Sequence, residues 1–213
     1  MTLGRFERIR VINLAERHDR RLDMERELAA IGLGNDPRVA FFPAIRPADS
    51  GNFTSVGARG VYLGQLAILR EAAAANESVL ILEDDCAFTP AARDYPTDGA
   101  WDIFYGGYEA ANPDDLATSD IIGAHMMGFT AAAAKALVAW LDALTYEGIH
   151  PPIDAAYIWY RRAHPEVSTH FAVPLLAHQR ASRSDIAPRL FDRLPGIREA
   201  AELARRIRRR LAR

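Results

Sequence analysis

The run Val79-Leu80-Ile81-Leu82 passes without a break into Glu83-Asp84-Asp85. An uninterrupted apolar stretch containing Val and Ile suits a strand covered on both faces, as in a parallel sheet. Three adjacent carboxylates cannot be buried bare in such a sheet, because desolvating an unpaired anion costs too much. The strand must therefore emerge at Glu83, at its C-terminal end. Ligands of open α/β sheets bind along that edge. Hard cations such as Mg²⁺ or Mn²⁺ take carboxylate oxygens and bridge them to diphosphates. The stretch thus predicts a metal–nucleotide site, with an acidic loop tip as the bland alternative.

The remainder of the chain supplies the units such a sheet needs. Ile9–Leu14 has the pattern of a first strand. A charged turn, residues 15–21, leads into a helix whose inner face carries Met24, Leu28 and Ile31, and Gly32 and Gly34 stop it. Val39–Pro43 makes a second strand. Residues 44–60, rich in Pro, Gly, Ser, Asp and Asn, predict a long loop, a length associated with function or mobility. Tyr62, Leu66, Leu69 and Ala73 give helical spacing before the acidic strand. This strand–helix–strand order points to βαβ units and a mostly parallel sheet flanked by helices.

Further on, Trp101–Gly107 predicts a strand ending at its two glycines, and Gly123–Thr130 another. Ala133, Leu137, Trp140, Leu141 and Leu144 line a helix that Gly148 ends. Pro151-Pro152 precedes Asp154, which can begin a helix over 154–160 as its N-cap. His170–Val173 predicts a strand and residues 174–185 a polar loop. From Pro195 the chain changes character. Ile197, Ala201, Ala204, Ile207 and Leu211 share one helical face, and Arg198, Arg205, Arg206, Arg208, Arg209, Arg210 and Arg213 crowd the rest. Such a basic amphipathic helix can lie on an anionic membrane surface or pack as an ordinary surface helix. The expected organisation is a single α/β domain over 1–190 with a basic tail over 191–213.

Bulk properties exclude several classes. The net charge of −2 gives no general case for nucleic-acid binding, and no aromatic residue is interleaved with the basic tail for base stacking. The single cysteine, Cys86, rules out an intrachain disulfide and suits a reducing compartment. No apolar run is long enough for a transmembrane helix. A cytoplasmic protein, with the tail available for peripheral contact with a membrane, is expected.

Among enzymes that place acids after an apolar strand, phosphatases of the haloacid dehalogenase type need Asp first, as the phosphorylated nucleophile. Here Glu83 comes first. The pattern Glu83-Asp84-Asp85 instead matches a variant of the Asp-X-Asp signature of nucleotide-sugar glycosyltransferases. Three segments sharpen that match. They are Val11-Ile12-Asn13-Leu14 with Arg17, Asp19-Arg20-Arg21 and Met24; the Gly57–Asp85 helix and strand; and Pro152-Ile153-Asp154 with Gln179-Arg180, Ser182 and Ser184-Asp185-Ile186. In order and spacing they resemble glycosyltransferase family 25, the lipooligosaccharide galactosyltransferase group that includes the collagen galactosyltransferases. Two positions depart from that family. Gly64-Gln65 stands where it usually has Ser-His, and His125 where it often has Tyr.

The resemblance implies a GT-A-like fold, a UDP-hexose donor (galactose or glucose), a glycan or glycolipid acceptor, a divalent metal (Mn²⁺ or Mg²⁺) and inversion by single displacement. It implies Asp85 as direct metal ligand, Glu83 toward the ribose or metal-bound water, and Asp84 toward the nucleotide or bracing the loop. His178 is the candidate for a further ligand. Asn13, Leu14 and Arg17 would hold the donor's base and diphosphate. Inversion needs one carboxylate beside the acceptor hydroxyl. Asp154 is the choice, a position that equally suits a plain helix cap, with Asp102 and Asp185 in reserve. A non-catalytic nucleotide-sugar or glycan binder of the same fold is the alternative.

Overall fold

The computed structural model describes residues 3–96 and 99–180. All fall within one compact unit, Met1–Ser182. The expected basic tail and the motif residues Ser182, Ser184, Asp185 and Ile186 lie outside the described residues.

A six-stranded sheet organises the unit. Its strands are β1 (Arg8–Asn13), β2 (Val39–Pro43), β3 (Val79–Glu83), β5 (Ile103–Ala110), β6 (Ile121–Phe129) and β7 (Thr169–Phe171), in the spatial order β2-β1-β3-β6-β5-β7. Every strand runs the same way except β6, which is antiparallel to both neighbours. The helices are α1 (His18–Ala30), α2 (Val56–Ala75), α3 (Ala131–Asp142) and α4 (Ile153–Ala163). The α/β class and mostly parallel sheet read from the sequence are those of the structure.

β3 is central because its four apolar residues are wholly buried, two on each face. Successive side chains alternate across a strand. Val79 and Ile81 pack with α2, α3 and α4, together with Ile12, Tyr105, Met127 and Phe129. Leu80 and Leu82 pack on the other face with Ile9, Val11, Met24, Leu28 and Phe104, the side of α1. The sheet is thus the middle layer of three.

Several local expectations are corrected. Gly106-Gly107 does not end β5; the strand continues to Ala110 through register shifts at these glycines. A Cβ on Gly107 would sit 2.3 Å from His125, so the glycine lets β5 pass close to β6. α2 starts at Val56, which shortens the expected 44–60 loop. Ser55 caps it by accepting from the Ala58 N–H at 3.0 Å, a contact worth about 1 kcal/mol. α3 ends at Asp142, six positions before Gly148. The N-cap of α4 is Pro152, whose fixed φ of −63° presets the helix entry, and Asp154 lies within the first turn. The expected polar loop at 174–185 contains a short strand, β8 (Ala177–Gln179), antiparallel to β4 (Cys86–Phe88) directly after the acids. Single-sequence patterns miss both, because three-residue strands are too short to show periodicity.

Candidate active site

The acids leave the sheet where β3 ends, and strand alternation sends them to different places. Glu83 continues the Val79–Ile81 face, toward α4. Asp84 falls on the α1 face, as does Asn13 at the end of the neighbouring β1. Asn13 Nδ2 donates to Asp84 Oδ2 at 2.7 Å and to the Arg17 carbonyl at 3.3 Å. Arg20 Nη1 donates to Asp84 Oδ1 at 2.9 Å. Both Asp84 oxygens are therefore engaged, and Asp84 ties β1, β3 and α1 together. Of its two expected roles, the structure provides the bracing one.

Asp85 follows in the turn to β4 and is 8% exposed. Gln179 Nε2 donates to its Oδ2 at 3.1 Å, and the Arg180 main chain and side chain donate to the carbonyls of Asp85 and Asp84, each at 2.8 Å. The β4–β8 ladder places Gln179 and Arg180 there. Asp85 Oδ1 is buried with no hydrogen-bond partner. Burial pushes the Asp85 carboxyl above its ordinary value, against the opposing bond from Gln179.

Asp154 reaches the same edge from the first turn of α4. Its Oδ2 accepts from the Gly123 N–H at 3.2 Å and its Oδ1 from the Ala155 N–H at 2.9 Å. Gly123 has φ +89°, a conformation that suits glycine and turns its N–H toward the carboxylate. Burial raises the Asp154 carboxyl, and the two main-chain bonds hold it down. Glu83 is pushed up to about 8, first by burial and then by the charges of Asp85, Asp154 and Asp84. Four carboxyl groups thus lie near one sheet edge, Glu83 and Asp154 on its α4 side and Asp84 on its α1 side.

A buried acid with a raised value stabilises the fold least when ionised. By linkage, the native state binds the extra proton, so the contribution of Glu83 to ligand-free stability is fully present below about pH 4.5 and is lost as pH rises through about 8. Glu83→Gln removes that cost. Urea unfolding at pH 8 without metal is expected to show the variant more stable by on the order of 3 kcal/mol, with the gain vanishing near pH 4.5. A variant no more stable at pH 8 would refute the assignment.

The remaining sequence candidates fall around this edge with different claims. Leu14 is half-buried, and its carbonyl accepts from the Arg17 N–H at 2.9 Å. Arg17 stands at the N-cap position of α1 and pairs with Asp19 at 2.8 Å. His178 is exposed on β8 opposite Ala87, on the alternate face from Gln179. Among the described residues no three His, Cys, Asp or Glu side chains are grouped to hold a metal by themselves. Asp102 lies at the other end of the sheet, where its carboxylate accepts from Ser168 ahead of β7, so this reserve base is excluded by position. Gln65 is fully buried, accepting from Tyr157 at 2.7 Å and donating to the Ala124 carbonyl, and so serves the core. His125 is buried and held neutral by that burial.

Arg20, Gln179, Arg180 and Gly123 received no individual role from the sequence. Arg20 carried a legible signal. It lies one turn before Met24 on the inner stripe of α1, and a cation there needs a buried anion. The others depend on strand pairings over long sequence separations.

A glycosyltransferase involved in glycosylation of the major capsid of PBCV-1 superposes with TM-score 0.50 at 11% identity, over 82% of this chain and 93% of that one. The chain has a GT-A-like α/β fold. Two further solved structures align less well. One is GlyE, a glycosyltransferase of Streptococcus pneumoniae, at TM-score 0.43 and 10% identity over 78% of this chain and 45% of that one. The other is a Bacillus anthracis protein assigned as a glucose-1-phosphate thymidylyltransferase, in complex with sucrose, at TM-score 0.42 and 12% identity over 76% and 66%. No protein-family profile matches the chain, and no curated protein sequence does. The resemblance to family 25 therefore rests on its motifs alone.

Proposed function

We propose that this protein is a metal-dependent, inverting glycosyltransferase. It would move a hexose, galactose or glucose, from a UDP-sugar to a hydroxyl of a surface glycan or glycolipid. The observation that carries the reading is the Asp85 carboxylate. It leaves one buried oxygen unpartnered at the C-terminal edge of β3, in a fold shared with a glycosyltransferase.

The donor set fits a hard divalent cation that keeps part of its coordination for substrate. Mg²⁺-type sites commonly use one or two carboxylates plus substrate phosphates. Asp85 would be the direct ligand and Glu83 the second. When bound, the cation supplies charge neutralisation to the departing nucleoside diphosphate. The chain does the rest. Gln179 fixes one Asp85 oxygen, and the Asn13–Asp84–Arg20 unit fixes the turn that presents it. Asn13, Leu14 and Arg17 border the same edge, where the donor's base and diphosphate would lie. Asp154 takes the proton from the acceptor hydroxyl as the sugar carbon is attacked. Burial raises its basicity, and the Gly123 and Ala155 N–H groups keep the carboxylate oriented. The basic tail suits a lipid-linked acceptor near an anionic membrane. Among the described residues no helix is long and apolar enough to cross one.

The test is UDP binding with and without Mn²⁺, paired with UDP-hexose turnover, for the native protein and Asp85→Ala. Mn²⁺ is expected to tighten UDP binding, and the variant to lose that gain, by roughly 10- to 100-fold. Metal-independent UDP binding that survives the substitution would overturn the metal assignment. Tight UDP binding with no turnover on any donor would favour the non-catalytic binder.

A further inference from the structure

We propose that a cavity at the C-terminal end of α4 is an acceptor subsite for an anionic sugar unit, with Arg161 as its specificity-determining residue. The proposal rests on the transferase reading and names the acceptor class it would serve.

The cavity has a volume of about 490 Å³, within the usual range for small-molecule sites. Ile158, Val167, Phe171 and Thr169 line it with the 111–120 loop, as do Arg161 and Arg162. Arg161 is fixed on several sides. Nε donates to Thr169 Oγ1 at 3.2 Å, and Nη2 donates to the Ala117 and Leu116 carbonyls at 3.0 and 3.4 Å. The guanidinium lies over the Phe171 ring at 4.8 Å and the Tyr105 ring at 5.5 Å.

Those partners are neutral. Among the described residues no carboxylate pairs with Arg161, whereas its neighbour Arg162 pairs with Asp120 at 2.8 Å. This half-buried guanidinium, stacked and oriented but lacking a counter-ion, has Nε and Nη2 engaged and leaves its Nη1 N–H groups for a carboxylate or phosphate oxygen. The apolar walls favour an anion borne on a larger body over a bare ion.

Position links the cavity to the chemistry. Asp154 and Arg161 are seven residues apart on α4, so they share a helix face about 10 Å apart along the axis. A short oligosaccharide can span that distance. Its anionic unit would sit on Arg161 while a neighbouring unit offers its hydroxyl to Asp154.

The test is equilibrium binding to the full chain, without donor or metal. The probes are a methyl glucuronide, the matching neutral methyl glucoside, a hexose phosphate and inorganic phosphate. The glucuronide or the hexose phosphate is expected to bind, and whichever binds tighter identifies the anion as carboxylate or phosphate. Arg161→Gln removes the charge. Ala117→Trp fills the cavity from an exposed position and leaves Arg161 intact. Each is expected to weaken binding at least about tenfold, with Mn²⁺-dependent UDP binding unchanged, and Asp85→Ala should bind the anionic sugar as the native protein does. Equal binding of the neutral glucoside, inorganic phosphate held as tightly as either anionic sugar, or full binding by folded Arg161→Gln would overturn the subsite. Anionic-sugar binding without any UDP binding would instead overturn the acceptor role and the transferase reading together.

Discussion

Asp154→Asn lowers kcat by about 100- to 10,000-fold, the range for loss of a positioned general base, while UDP binding in Mn²⁺ stays within about twofold of native. The asymmetry follows from geometry. Asp154 belongs to α4 and accepts from Gly123 and Ala155, apart from the β3 turn that would hold the metal and diphosphate. Asn keeps an acceptor oxygen for only one of those two N–H groups and turns its NH2 toward the other, so some loosening of the helix start accompanies the loss of basicity. The pH profile separates this from a structural defect. A base must be ionised, and burial sets the Asp154 carboxyl above its ordinary value, so native kcat should rise with pH through that raised value. The residual activity of the variant should lack this rise. Equal loss of kcat and UDP affinity, or an unchanged pH limb, would remove Asp154 from the base role.

Asp84→Ala unfolds at lower urea, with a loss of about 3–5 kcal/mol, the usual cost of removing one partner of a buried ion pair. Asp84 is 6% exposed and engages Arg20 at 2.9 Å and Asn13 at 2.7 Å. Its removal takes the carboxylate from a largely buried guanidinium and the acceptor from a buried amide. The double variant Arg20→Met with Asp84→Ala should recover part of the loss, because the residues act as a unit. A single-variant loss under about 1 kcal/mol, the level of an exposed pair, would show that Asp84 does not brace the edge. Asp84→Ala should also weaken UDP binding, by displacing Asp85.

Glu83, Asp84 and Asp85 illustrate how adjacent identical chemistry diverges. In sequence they are one acidic cluster. In the structure Glu83 faces α4 and is driven toward its neutral form, Asp84 is neutralised by Arg20, and Asp85 keeps an unpartnered oxygen. The division follows from a two-residue period crossing a sheet whose two faces carry different helices.

The sequence by itself determined the buried central strand, the edge at which it must end, the βαβ order and the presence of an acidic site there. These are local consequences of apolar runs, helical spacing and the cost of burying charge. Only the tertiary structure decided which acid is braced, which is left open, and that Asp154 joins them while Asp102 does not. It also revealed the β4–β8 ladder that brings Gln179 to Asp85, and the uncompensated Arg161 in its cavity. Those outcomes depend on which distant segments are packed together. Chain order records the period of each element but not the partner that its faces and ends will meet.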